Sequence, residues 1–154
     1  MDKIFFDRDL VELNLELSTK EDVITKLSEK MRDKNIVEAE FLEEVLKREK
    51  EFPTALEGTH INFAIPHTDP EHVKEAAIAV ALLKNKVEFF NMNNYEEKIE
   101  VELVLVLAIT DASKQVKLLQ KLMEIMQDEK IVNKILNVSS KDEMVEIMEN
   151  NLEI

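Results

Sequence analysis

The chain has no cysteine. Disulfides, thiolate-ligated zinc and cysteine nucleophiles are therefore excluded, and the lack suits a reducing compartment. Glycine occurs once and proline three times. Phosphate-binding loops of the Walker or dinucleotide kind need several glycines within a few residues, so ATP-dependent chemistry of those types drops out. A G-x-S-x-G nucleophile elbow is impossible for the same reason. Positive charge is also scarce: 20 Lys and Arg stand against 33 Asp and Glu, a formal net charge of -13. Such a field repels nucleic acid and anionic lipid and favours basic partners, so no nucleic-acid binding is expected. Long hydrophobic runs are missing as well. The longest, Ala76–Leu83 and Leu103–Ile109, fall far short of the roughly 20 residues that span a bilayer. The start, from Asp2 to Asp7, carries acids where a signal peptide needs an apolar stretch. The chain reads as cytoplasmic, with no direct membrane insertion.

What is present is a globular composition, 45% hydrophobic and 34% charged, long enough for one domain over residues 1–154. Val11–Leu15 alternates apolar and polar, the period of a half-buried strand. Ser18-Thr19-Lys20-Glu21 reads as a capping box that opens a helix with Val23, Ile24, Leu27 and Met31 inward, stopping near Asp33–Asn35. A second helix is expected from about Val37 to Lys50, with Phe41, Leu42, Val45 and Leu46 as its apolar stripe. Glu51–Thr59 is irregular, and Asn62–Pro66 is a short strand ending at His67. Ala76–Leu83 has the continuous apolar run of a strand buried on both faces. Val87–Met92 is a further short strand, Asn93-Asn94 a turn, and Lys98–Thr110 a strand entering the sheet centre.

Helical periodicity returns at Ser113 with Val116, Leu119, Leu122, Met123 and Met126 along one side. A short helix at Glu129–Leu136 follows, then a last helix capped by Ser140 with Met144, Val145, Met148 and Leu152 inward. With strands and helices interspersed in this way, an α/β fold with a sheet covered by helices on both faces is the natural packing.

All three histidines, His60, His67 and His72, fall within thirteen positions. Imidazole together with Asp69 and Glu71 could in principle hold zinc, but no recognised ligand spacing occurs and no metal is expected. His67 stands apart because it follows a strand directly and comes after Pro66, whose ring stiffens the turn. A side chain there is expected to be both exposed and well held, as a nucleophile requires.

Arg48-Glu49-Lys50-Glu51-Phe52-Pro53-Thr54-Ala55-Leu56, followed by Phe63-Ala64-Ile65-Pro66-His67-Thr68-Asp69, resembles the IIA domains of the mannitol/fructose class of the sugar phosphotransferase system (PTS EIIA type 2). Glu71-His72-Val73 and the apolar stretch from Ala77 to Phe89 extend the likeness, which is nearest to the galactitol-type branch. The resemblance implies an α/β domain with a mixed parallel and antiparallel sheet sandwiched between helices on both faces, and a phosphotransferase component with protein substrates and no cofactor. Its histidine takes a phosphoryl group from phospho-HPr and passes it to a IIB domain, which phosphorylates a sugar imported through a membrane IIC partner.

Carried onto this chain, His67 is the phosphorylated nucleophile and Arg48 the residue that stabilises the phosphoryl group. Arg48 could equally serve as a charge balancing the C-terminal helix dipole. Thr54 and Thr68 are candidate hydroxyl donors, although Thr54 could only shape the turn and Thr68 only cap the next segment. Two departures stand out. Gln115, or else Ser113, occupies the place of a second family histidine and could orient a ring or an oxygen without titrating. Ala55 replaces a usual glycine, so the turn there is expected to avoid positive φ. The rim of the site is expected to be short of acids, with Asp69 and Glu71 either turned away or hydrogen-bonded to the other imidazole nitrogen. The alternatives to transport are a regulatory relative of the nitrogen-type IIA proteins and a non-phosphorylated binding module that shares the fold.

Overall fold

A computed structural model describes residues 4–152. Met1–Lys3, part of the acidic start discussed above, and residues 153–154 lie outside the described residues. Strand β1 (Val11–Leu15) is followed by α1 (Lys20–Asp33), α2 (Phe41–Glu51), β2 (Ala55–Glu57), β3 (Asn62–Ala64), β4 (Ala77–Asn91) and β5 (Asn94–Ala108). Three helices close the chain: α3 (Ala112–Met126), α4 (Glu129–Leu136) and α5 (Lys141–Leu152).

The frame is the β4–β5 hairpin, paired antiparallel from Ala77 opposite Ala108 to Asn91 opposite Asn94. β1 lies parallel along β4, from Val11 opposite Val80 to Leu15 opposite Leu83, with an irregularity at Asn14, whose φ is 55°. On the other side β3 runs parallel to β5, with Phe63 opposite Leu103 and Ala64 opposite Val104. β2 pairs antiparallel with β3 and returns to the hairpin tip at Asn91, where Met92 N–H donates to the Ala55 carbonyl at 2.8 Å. Every side chain from Ala77 to Leu83 and from Val104 to Ala108 is buried. Because successive strand residues point to opposite faces, unbroken burial means that the sheet is covered on both. α1 and α2 pack on one another and α1 on β4, while α3, α4 and α5 form a second group with α5 against β1. The structure is the expected α/β arrangement of a mixed sheet between helices.

Local signals explain most boundaries, and where they compete the tertiary structure chooses. The cap of α1 falls one residue later than the Ser18 box predicts: Thr19 Oγ1 accepts the Asp22 N–H at 3.1 Å. α1 stops at Asn35, in the left-handed region at φ 59°, with Ile36 N–H returning to the Met31 carbonyl at 3.0 Å. α2 begins at Phe41 and not at Val37. Val37 is instead buried in an isolated bridge to Val73, and the Glu38 N–H donates to the His72 carbonyl at 2.9 Å. The expected strands 76–83 and 87–92 are one long strand that carries an irregularity between Leu82 and Val87, where Lys84, Asn85 and Lys86 face solvent. β5 starts at Asn94, ahead of the expected Lys98, because the antiparallel partner supplies its pairing. α3 buries Leu118, Leu122, Ile125 and Met126, leaving Val116 and Met123 exposed. The helix is apolar over a wide arc, and packing on α4 and α5 selects which part turns inward. At the last helix, Ser140 Oγ accepts the Glu143 N–H as its capping box predicts.

Gly58 is required by space, not by φ. A Cβ built there meets the Ile61 carbonyl oxygen at 2.2 Å, a backbone atom that cannot swing away. Gly58→Ala is expected to cost about 1–3 kcal/mol through local displacement of the β2–β3 connection. Urea unfolding would show it as a lower midpoint at unchanged slope, and an unchanged midpoint would refute it.

Candidate functional site

The sheet carries His67 to its place. After β3 the chain continues beside β5: the Pro66 carbonyl accepts the Leu107 N–H at 3.0 Å, and His67 forms a parallel bridge with Leu107. His67 therefore sits where β5 ends, with α3 starting five residues beyond Leu107. The position is less open than a strand end suggests, since His67 is only 8% exposed. Its Nδ1 lies 2.7 Å from the Ile65 carbonyl oxygen. A carbonyl only accepts, so the proton of the neutral ring resides on Nδ1 and Nε2 keeps its lone pair. Burial lowers the pKa of the imidazole, a trend opposed by the Ile65 carbonyl, reinforced by the positive charge of Arg48 and opposed by Asp69. The ring is thereby biased toward the neutral, nucleophilic form.

Arg48 lies in the last turn of α2. Its Nη1 is 3.6 Å from Asp69 Oδ1, and its guanidinium stands over the Phe52 ring at 5.3 Å. Its Nε is buried with no hydrogen-bond partner among the described residues. A buried donor without an acceptor is costly, but the side chain as a whole is 37% exposed, which leaves part of the guanidinium open to an incoming oxygen. Arg48, Lys47, Phe52, Thr68 and Asp69 line a recess of about 180 Å³ together with Glu44 and Glu51. The rim is therefore not short of acids, because the helical repeat of α2 brings Glu44 and Glu51 to the same side as Arg48. Asp69 and Glu71 turn away from the imidazole, Asp69 to Arg48 and Glu71 to within 3.6 Å of His72 Nε2.

Thr68 is 6% exposed, lines the recess and makes no side-chain hydrogen bond among the described residues. Thr54 differs. Its hydroxyl proton goes to Glu49 Oε1 at 2.7 Å and its oxygen accepts the Ile65 N–H at 3.2 Å. The expected role of Thr54 as a donor to a phosphoryl oxygen is corrected by this geometry, because its only proton is already committed. Gln115 is half-buried in the first turn of α3 with its side-chain amide unbonded among the described residues. Ser113 donates its hydroxyl proton to Asp111 Oδ1 at 2.6 Å as part of the helix cap. Of the two residues considered for the second-histidine position, only Gln115 has a free polar group.

Ala55 takes up β2 with no positive φ, as its substitution for glycine suggests. His60 is exposed in the bend before β3, and His72 belongs to the short turn that pairs with residues 36–38. Among the described residues no three His, Asp or Glu side chains gather as a metal site would need.

Glu49 escaped the sequence reading. It is 3% exposed and accepts both the N–H and the O–H of Thr54, at 2.9 and 2.7 Å. Burial raises its pKa to about 7, against the opposing pull of the two Thr54 hydrogen bonds. The signal was there: Glu49 follows Phe41 and Val45 at four-residue steps, which places it on the inward face of α2.

Residues 4–151 match the family described as phosphoenolpyruvate-dependent sugar phosphotransferase system, EIIA 2. The chain belongs to this family. The galactitol-specific EIIA component of Escherichia coli K12 is 30% identical over 117 residues, covering 76% of this chain and 77% of that protein. The 2-O-alpha-mannosyl-D-glycerate-specific EIIABC component of the same strain is 32% identical over 148 residues, 92% of this chain but 21% of that longer protein. The fold is shared with enzyme IIAMtl of E. coli in its complex with phosphorylated enzyme IIBMtl, at a TM-score of 0.77 and 22% identity over 96% of this chain and 99% of that one. Among the described residues no helix is long and apolar enough to cross a membrane.

Proposed function

We propose that the chain is a phosphoryl carrier that accepts a phosphoryl group from phospho-HPr on Nε2 of His67 and passes it to a IIB domain. That IIB domain serves sugar uptake through a membrane IIC partner. One observation carries the reading: the Nδ1 proton of His67 is tied to the Ile65 carbonyl, which leaves Nε2 unprotonated. In the transfer, the Nε2 lone pair forms the new N–P bond while the donor's N–P bond breaks and its electron pair returns to the donor nitrogen. The Nδ1 proton stays in place. Charge spread over the phosphoryl oxygens is met by Arg48, which exchanges its loose contact with Asp69 for the incoming dianion. Thr68 supplies a hydroxyl donor, and Gln115 orients the ring or an oxygen without taking part in proton transfer. The galactitol-specific relative favours transport over a regulatory role. In this reading residues 1–154 act as one IIA domain, and a cytoplasmic location goes with it.

The test is incubation with phosphoenolpyruvate, enzyme I and HPr, followed by intact mass and mapping of the modified residue. A gain of one acid-labile phosphoryl group on His67, lost again to an added IIB domain, is the expected result. No uptake from demonstrably phosphorylated HPr, the chain's own HPr included, would overturn it.

A further inference from the structure

Glu49 is the only buried carboxyl group among the described residues, and it does not stand alone. It accepts the Thr54 N–H and O–H; Thr54 Oγ1 accepts the Ile65 N–H; the Ile65 carbonyl accepts Nδ1–H of His67. Four residues, all buried, thus link a carboxylate on α2 to the imidazole at the end of the sheet. We propose that Glu49 is a positioning residue that, through Thr54 and the backbone of Ile65, holds His67 in its Nδ1–H tautomer and keeps Nε2 bare.

The chemistry behind this is directional. An imidazole left in water prefers its proton on Nε2, the tautomer with no nucleophilic nitrogen there. The opposite tautomer therefore has to be held by an acceptor at Nδ1. That acceptor is a backbone carbonyl whose direction depends on the torsions of Ile65, and the Ile65 N–H is anchored on Thr54. Thr54 in turn can accept that N–H in a fixed direction because Glu49 takes its own proton. Hydrogen bonds aligned in a dry interior polarise one another, so above about pH 7, where Glu49 is ionised, the carboxylate at one end makes the carbonyl at the other a better acceptor. The benefit grows during transfer, when the ring bonded to phosphorus at Nε2 still carries the Nδ1 proton and becomes cationic. Glu49 touches neither the ring nor the phosphoryl group; it acts through its neighbours.

The inference rests on the carrier reading for what Nε2 does, but its test does not. The tautomer of His67 can be read by ¹⁵N NMR in the unphosphorylated protein with no donor present. At pH 8, where Glu49 is ionised and the imidazole neutral, wild type is expected to show the proton on Nδ1. Glu49→Gln keeps the shape but cannot accept both Thr54 donors, and it is expected to shift the tautomer ratio toward Nε2–H by about tenfold. Phosphoryl uptake should slow by a similar factor, with KM for HPr unchanged. Thr54→Val, which removes only the hydroxyl, should do the same, and Thr54→Ser should keep the wild-type tautomer ratio.

A merely structural role for Glu49 would lower the unfolding midpoint and leave the tautomer of the folded protein untouched. Folded variants with the wild-type ratio, or a wild-type ring protonated on Nε2, would overturn the proposal. If Glu49→Gln does not fold, Thr54→Val decides alone. A chain whose tautomer depends on Glu49 but which takes up no phosphoryl group would refute the carrier reading and leave the relay standing.

Discussion

Alanine in place of His67 is expected to abolish phosphoryl uptake, and alanine in place of Arg48 to slow it by about a hundred- to a thousand-fold. The first follows from removal of the only buried imidazole at the site. The second follows from charge. Phosphoryl transfer leaves the protein little covalent work, so alignment and neutralisation of the equatorial oxygens supply most of the acceleration. Arg48 offers a planar fork on a side chain that is 37% exposed, and its ion pair to Asp69 is long at 3.6 Å.

Arg48→Lys keeps the charge but loses the fork, and should fall between wild type and alanine. Neither change should unfold the protein, because the side chain is 37% exposed and such surface pairs contribute little. A quenched time course of intact mass, begun with excess phospho-HPr, measures all of these rates. Wild-type kinetics in Arg48→Ala would remove Arg48 from the site.

Stability is expected to fall with rising pH in a way that a single residue controls. Burial lifts the Glu49 carboxyl from its ordinary value of 4.5 to about 7. In the unfolded chain the group ionises near 4.5, so between these values the folded state binds the extra proton. The stabilisation is fully present below about pH 4.5, declines as pH rises, and is gone above about pH 7. The shift corresponds to roughly 3 kcal/mol.

Titrations outside the Glu49–Thr54–Ile65–His67 chain are common to wild type and Glu49→Gln and cancel in their difference, and making the same comparison in a His67→Ala background removes the remaining one. Urea unfolding of the two proteins from pH 4.5 to 7.5 should therefore show wild type losing about 3 kcal/mol relative to the variant. Parallel stability curves would mean that Glu49 does not hold its proton in the fold. His67, whose pKa burial lowers, gives the opposite slope. Its neutral form is favoured by folding, so stability declines as pH falls through the ordinary histidine range, and His67→Ala should remove that decline.

Much of the site was legible in the chain. Pro66-His67 after a short strand marks the candidate nucleophile, and the Arg48 to Leu56 segment with Ile65 to Asp69 marks its surroundings. Strand and helix periods place most elements, but not β2, which lies in the segment 51–59 that reads as irregular and exists through its pairing with β3 and β4. The failures share a cause. Val37 looked helical because its own neighbours favour a helix, yet it is drawn into a bridge with Val73, 36 positions away. The expected stripe on α3 holds at Leu122 and Met126 and fails at Val116 and Met123, because periodicity alone cannot choose among adjacent apolar arcs. Thr54 reads either as a hydroxyl donor or as a turn residue, because nothing local shows that its proton goes to Glu49.

By itself the sequence determined the fold class, the family and the identity of His67 and Arg48 as candidates. Those depend on residue type, spacing and periods of two or about 3.6, which are local quantities. Only the tertiary structure decided which nitrogen of His67 carries the proton, that Thr54 is occupied, and that Glu49 lies buried behind the site. Those depend on where one segment's donors meet another's acceptors. The water that leaves the interior makes each such pairing obligatory, and no local pattern encodes it.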